Sequence, residues 1–162
     1  MKNLYNKFQP IFNPNKPGYL IFYVTNRCNF RCEFCFYSDE INKGLKPDEL
    51  SLEEIEKIAK KTGPLIQISL TGGEPFLRKE FIEIAEIFLI NNKPLYFTVV
   101  TNGSLGERIK EFFSYILPKY PKTFFRLAYS IEGIGERHDS LRGVKGSYDK
   151  IISSYEDMKL IR

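Results

Sequence analysis

Cys28, Cys32 and Cys35 are the only cysteines of the chain, and they fall in one run, Cys28-Asn29-Phe30-Arg31-Cys32-Glu33-Phe34-Cys35. Three thiolates are one short of a closed tetrahedral site. A four-iron cluster held by three cysteines keeps one iron open to a ligand that is not protein. Two other readings stand beside this one. A structural zinc ion would need a fourth ligand, and the single histidine, His138, lies over a hundred residues away. An oxygen ligand or a partner's cysteine could fill that place. A disulfide with a spare thiol would suit a secreted chain, but Met1-Lys2-Asn3-Leu4-Tyr5-Asn6-Lys7 lacks the apolar stretch of a secretory signal.

Three further segments could carry chemistry. Gly72-Gly73-Glu74-Pro75 has the composition of a tight turn into a helix: glycine for the backbone, proline for the first turn, glutamate at the positive end of the dipole. Thr101-Asn102-Gly103 contains the Asn-Gly turn pair. Ser130-Ile131-Glu132-Gly133 is followed by His138-Asp139, Arg142-Gly143 and Gly146-Ser147-Tyr148. Each has a plain structural reading as well, as a turn, a strand end or a surface arginine.

Taken together, the cysteine spacing, Phe34 before the third cysteine and Gly72-Gly73-Glu74 resemble the signature of the radical S-adenosylmethionine (SAM) superfamily. The resemblance implies that Cys28, Cys32 and Cys35 ligate a [4Fe-4S] cluster and that SAM chelates the open iron through its amino and carboxylate groups. One electron from the cluster would then break a C–S bond of SAM and release a 5′-deoxyadenosyl radical. It further implies Phe34 near the adenine, and Gly72, Gly73 and Glu74 at the amino group. Asn102 and Ser130 become polar strand ends near the ribose or carboxylate, and Arg142 a partner for the carboxylate. The last segment is similar to the pattern of the SPASM or twitch members, except that Glu132 stands where aspartate is usual. No catalytic residue is assigned, and His138 is expected to make a turn or helix-start hydrogen bond. A low-potential electron donor of the flavodoxin or ferredoxin type is the implied partner, with a peptide or a cofactor precursor as substrate. The alternative is a zinc- or Fe–S-binding module that keeps the scaffold without turnover.

The elements that must position these residues alternate. Apolar or β-branched runs at residues 19–25, 65–71, 96–101 and 123–130 read as strands, and their near-continuous apolar character suits cover on both faces. Ser51-Leu52-Glu53-Glu54 predicts a capping box opening a helix to about Lys61. Phe81, Ile84, Ala85, Phe88 and Leu89 recur at helical spacing, with a stop near Asn91-Asn92. Ile109, Phe112, Phe113 and Ile116 predict a third helix closed by Pro118, and Tyr148, Ile151, Ile152, Tyr155 and Met158 a fourth. The fold class is therefore α/β, a parallel sheet of about four βα units with right-handed crossovers. Periodicity does not separate an open sheet from an arc of a barrel; the resemblance implies an incomplete (βα)6 partial TIM barrel. Every motif sits at the carboxyl end of a strand, where parallel α/β sheets bind ligands. Residues 36–50, after the cysteines, read as an irregular loop.

Composition sets the bounds. The chain has 162 residues, 43% hydrophobic and 27% charged, enough for one domain with a core. Its net charge of +4 is spread without a long basic run, which points away from nucleic acid. No stretch approaches 18 apolar residues, so no membrane span is expected. Clustered cysteines without an export signal suggest a reducing cytoplasm. Residues 1–18 are expected to be an N-terminal extension and residues 19–162 a core truncated after about four βα units. The fifth-strand G-x-I-x-G-x-x-E pattern of the family is missing, so a completing chain or segment is expected.

Overall fold

The computed structural model describes residues 16–39, 41 and 49–161. Most of the loop expected over residues 36–50, and residues 1–15 of the expected extension, lie outside them. The element order is β1 (Tyr19–Tyr23), α1 (Leu52–Thr62), β2 (Gln67–Thr71), a 3-10 turn (Pro75–Leu77), α2 (Phe81–Asn92), β3 (Tyr96–Thr101), α3 (Gly106–Lys119), β4 (Phe124–Tyr129), α4 (Glu136–Arg142) and α5 (Ser147–Lys159). The strands form one parallel sheet in the order β1-β2-β3-β4. This is the α/β, four-unit parallel sheet expected from the alternation.

The predicted starts and stops follow local chemistry. Ser51 Oγ accepts from Glu54 N at 3.2 Å while the Glu54 carboxylate accepts from Ser51 N at 2.8 Å, the reciprocal capping box. These bonds to Ser51 hold the Glu54 carboxyl below its ordinary value. Two details differ from expectation. Pro118 lies inside the last turn of α3 instead of after it; its missing N–H forfeits one intrahelical bond, to the Ser114 carbonyl, and the helix ends one residue later. Helix α4 has too few residues to show a period, and it begins at Gly135 without a side-chain cap.

The larger difference is the cover of the sheet. Leu20, Phe22, Ile68, Leu70, Phe97, Val99, Phe125 and Leu127 point into a core shared with Ile55, Ala59, Ile84, Phe88, Ile109, Phe112 and Ile116 of the helices. The alternate residues do not. Tyr19, Ile21 and Tyr23 of β1 and Phe124 and Arg126 of β4 are exposed. Among the described residues, helices therefore pack on one face only. The runs look uniformly apolar because aromatic residues occupy the other face, not because that face is buried. This is the arrangement of a partial barrel, with its inner face open.

Strand register sorts the inner face into rows. Tyr19, Gln67, Tyr96 and Phe124 form one row; Ile21, Ser69, Thr98 and Arg126 form the next. Tyr96 stacks on Phe124 with centroids 5.7 Å apart, and the Arg126 guanidinium sits 4.4 Å above the Tyr96 ring. Above these rows, at the carboxyl ends, lie the motifs.

Candidate functional site

The loop that leaves β1 carries the cysteines, and the ends of the other strands hold it. Gly73 N donates to Thr25 O at 2.9 Å, and Glu74 N donates to Arg27 O at 2.8 Å. This approach of backbone to backbone explains the two glycines. A Cβ on Gly72 would collide with the Thr25 carbonyl, and one on Gly73 with the Arg27 carbonyl and Cys28 Cβ. From β3, Asn102 Nδ2 donates to Asn29 Oδ1 at 2.9 Å, and Asn29 Nδ2 donates to Ser104 Oγ at 2.8 Å. From α4, the Arg142 carbonyl accepts from Arg31 N at 3.2 Å. Phe30 is buried beneath the loop.

The three cysteines are not disulfide-bonded, are each part-buried, and line a cleft of about 270 Å3. Gly72, Gly73 and Asn102 border the same cleft at the ends of β2 and β3, and Ser130, Arg142 and Phe34 border it opposite. All nine positions expected around SAM or the cluster besides Glu74 thus border this one cleft. Among the described residues no three His, Cys, Asp or Glu side chains converge on a point where a single ion would sit. The three cysteines instead border one open cleft. A four-iron cluster presents a separate iron to each thiolate, so this disposition fits that group. Burial pushes the Cys28 thiol up, partly offset by the Phe30 N–H at 3.4 Å from its sulfur.

Glu74 is the exception. It is fully buried and does not border the cleft. It caps the 3-10 turn, its Oε1 accepting from Phe76 N at 3.1 Å and from Thr101 Oγ1 at 2.8 Å; Oε2 accepts from Asn102 N at 2.8 Å. Burial pushes its carboxyl up to about 7, against the pull of these three donors. It joins the end of β2 to the end of β3 from behind the rim. Asn102 is similarly committed: its amide faces Asn29, and its Oδ1 accepts from Ser104 N at 3.0 Å.

Arg142 is not a surface residue. It is 9% exposed. Nη2 donates to Ser130 O at 2.7 Å and to Glu132 Oε1 at 2.8 Å, and Nη1 lies 3.5 Å from Cys32 Sγ. The guanidinium is 5.4 Å from the centre of the Phe34 ring. His138 is buried, and its Nδ1 accepts from Glu132 N at 3.2 Å, the local hydrogen bond expected of it. Burial holds its pKa down, so the neutral ring fits the acceptor role. Asp139 caps α5: its Oδ1 accepts from Tyr148 N and from Ser147 Oγ, each at 2.9 Å.

Sequence reasoning passed over a second set. Glu49 bridges two arginines, with Arg27 Nε at 2.9 Å and Arg78 Nη1 at 3.2 Å, and it also accepts from Thr25 Oγ1. Arg78 donates on to Val24 O and Leu50 O. These residues buttress the outer side of the cysteine loop. No spacing in the sequence joins positions 27, 49 and 78.

The family model of the radical SAM superfamily matches residues 22–160. The chain belongs to the radical SAM superfamily. GTP 3′,8-cyclase from Haemophilus influenzae (strain ATCC 51907 / DSM 11121 / KW20 / Rd) is 33% identical over 141 residues, covering 81% of this chain and 41% of the relative. Fe-coproporphyrin III synthase from Methanosarcina barkeri (strain Fusaro / DSM 804) is 32% identical over 149 residues, 85% of this chain and 33% of the relative. The chain therefore spans about two fifths or less of these relatives. Among solved structures, Streptococcus suis SuiB bound to S-adenosylmethionine superposes with a TM-score of 0.70 at 20% identity, covering 99% of this chain and 36% of that one. Methylornithine synthase (PylB) gives a TM-score of 0.64 at 17% identity, covering 98% and 46%. Both likenesses show the partial-barrel fold. The superfamily's cofactor pair is a [4Fe-4S] cluster and SAM. No described helix is long and apolar enough to cross a membrane.

Proposed function

We propose that this chain is the cluster- and SAM-binding part of a radical SAM enzyme. The observation that carries the reading is the convergence of three cysteines and the Gly72-Gly73 turn on one cleft at the carboxyl rim of a parallel sheet. Cys28, Cys32 and Cys35 hold the cluster. The bound pair supplies the chemistry, one electron passing to SAM to break a C–S bond and give a 5′-deoxyadenosyl radical. The protein's part is to bind, orient and exclude water.

Gly72 and Gly73 offer backbone polar groups to the amino group of SAM, with no side chain in the way. Phe34, on the same rim and half exposed, is the surface for the adenine. Ser130 offers its hydroxyl toward the ribose or carboxylate. Asn102 and Glu74 act one step removed, by fixing the cysteine loop and the strand ends. An electron donor of the flavodoxin or ferredoxin type reduces the cluster, in a reducing cytoplasm. Further βα units, from a completing segment or chain, finish the substrate wall.

The substrate meets the open inner face of the sheet. On it Arg126 is the only charged side chain among the paired strand positions, and its one described contact is the Tyr96 ring. A negatively charged group on the substrate would find its partner there. A peptide substrate is favoured by the segment from Ser130 to Tyr148 and by the likeness to SuiB, which has been solved with a precursor peptide, SuiA. A cofactor precursor is the second choice, on the likeness to GTP 3′,8-cyclase.

Anaerobic reconstitution tests the reading. About four irons and four sulfides per chain are expected, with an electron paramagnetic resonance (EPR) spectrum of the reduced cluster that changes when SAM is added. One zinc per chain, with no iron retained, would replace this reading with that of a metal-binding module.

A further inference from the structure

Arg142 reaches the cysteine loop in three ways, through its carbonyl to Arg31 N, through Nη1 to Cys32 Sγ, and through the face of its guanidinium to Phe34. The following Gly143 has φ 66°, and a Cβ there would lie 2.5 Å from Arg31 O, so the end of α4 is pressed against the loop. The other amino group, Nη2, is held by Ser130 O and by Glu132, and Nε is buried without a partner. A guanidinium fixed in this way has no free fork for a carboxylate of SAM unless Glu132 lets go. The expectation that Arg142 serves that carboxylate therefore gives way to another.

We propose that Arg142 is a positioning residue for Cys32, donating an N–H···S contact that raises the reduction potential of the cluster, and that Glu132 is its anchor and counterweight. The inference rests on the cluster reading above. The physics is that of the shell behind a metal ligand. One-electron reduction adds negative charge to the cluster and its sulfurs, so a nearby cation favours the reduced form. The Glu132 carboxylate on the far side of the guanidinium opposes that effect. It also explains the departure from aspartate. Glu132 is fixed at its backbone by His138 Nδ1, and its carboxylate reaches Nη2 at 2.8 Å. Aspartate would end about 1.5 Å short, beyond hydrogen-bond range.

The test is an EPR-monitored reductive titration of the reconstituted protein with dithionite, without SAM, alongside iron and sulfide analysis. Arg142→Gln should keep its cluster and shift the potential to more negative values. Glu132→Gln removes the opposing charge while leaving the cation, and should shift it to more positive values. Opposite signs are the signature of charge; a merely structural role would not reverse sign between the two partners. If Arg142→Gln loses its cluster, Glu132→Gln and Arg142→Lys decide instead: Arg142→Lys keeps the charge and the backbone contact but, lacking the planar fork, cannot hold Ser130 O and Glu132 while donating to Cys32 Sγ, and should shift the potential negative. Unchanged potentials in variants with full iron, or shifts of the same sign in both glutamine variants, would overturn the proposal. An intact protein that takes up no cluster would overturn the cluster reading itself.

Discussion

Glu74→Ala separates two ways of using a carboxylate at this rim. If Glu74 faces SAM, the variant should fold normally and lose the SAM response. The structure instead gives its oxygens to Phe76 N, Thr101 Oγ1 and Asn102 N, all within 3.1 Å and all buried. Truncation leaves three donors without an acceptor. At about 1–3 kcal/mol for each buried unsatisfied group, with water entering the space, the low end of the sum is about 3 kcal/mol. The cost depends on pH. Burial raises the carboxyl from 4.5 to about 7, which at about 1.4 kcal/mol per tenfold change in proton affinity amounts to about 3 kcal/mol. A raised carboxyl binds its proton more tightly in the folded chain than in the unfolded one. Its contribution is therefore full below about pH 4.5 and declines as pH rises through about 7. The alanine variant lacks this slope. Urea unfolding of the two proteins, compared from pH 5 to pH 8, should show a gap of about 3 kcal/mol or more at pH 5 that narrows with rising pH. A gap under about 0.5 kcal/mol at pH 5, together with loss of the SAM-induced EPR change, would refute the assignment and put the carboxylate on the ligand.

Two further outcomes follow from the same rim. Gly73→Ala forces a Cβ against the Arg27 carbonyl and Cys28 Cβ, both backbone or tightly held; iron content after reconstitution should fall several-fold while α1, remote from the contact, keeps its circular dichroism. Asn29→Ala removes both side-chain bonds that tie the cysteine loop to the β3 end; at about 1 kcal/mol each, the loss should speed cluster release to a chelator without changing the iron count at saturation.

Much of this was legible before any coordinates. Each strand run became a strand and each helical face a helix, because these signals are local: a period, a capping box, a stop. The cysteine motif was legible as a motif for the same reason, since one loop of eight residues carries all three cysteines. What a side chain touches across the sheet is a different kind of fact. Glu74 and Asn102 are 28 residues apart, and Arg142 and Cys32 are 110 apart; only the parallel register brings them together. The one-sided cover of the sheet was hidden as well, because Tyr and Phe on an open face look the same in sequence as Tyr and Phe in a core.

On the proposed reading, ligand contacts and loop ties would belong to different atoms of the same short segments. At Gly72-Gly73-Glu74 the backbone faces the cleft while the carboxylate turns back to β3. At Thr101-Asn102 the side chains go to Glu74 and Asn29. At Ser130 the carbonyl holds Arg142, while the residue borders the cleft. A substitution at any of these positions changes both functions unless the readouts are separated, and loss of SAM binding alone cannot assign a residue to SAM. Stability against pH isolates the tie at Glu74, and cluster potential isolates the tie at Arg142. The Arg142 charge also acts on the Glu74 carboxyl, so the two ties are compared at pH 5, where that carboxyl is largely uncharged; because one tie runs to β3 and the other from α4, a Glu74→Ala Arg142→Gln double variant should there show additive effects on unfolding free energy, within about 0.5 kcal/mol. Strong coupling would mean that the loop moves as one body and that its ties share a single mechanical path.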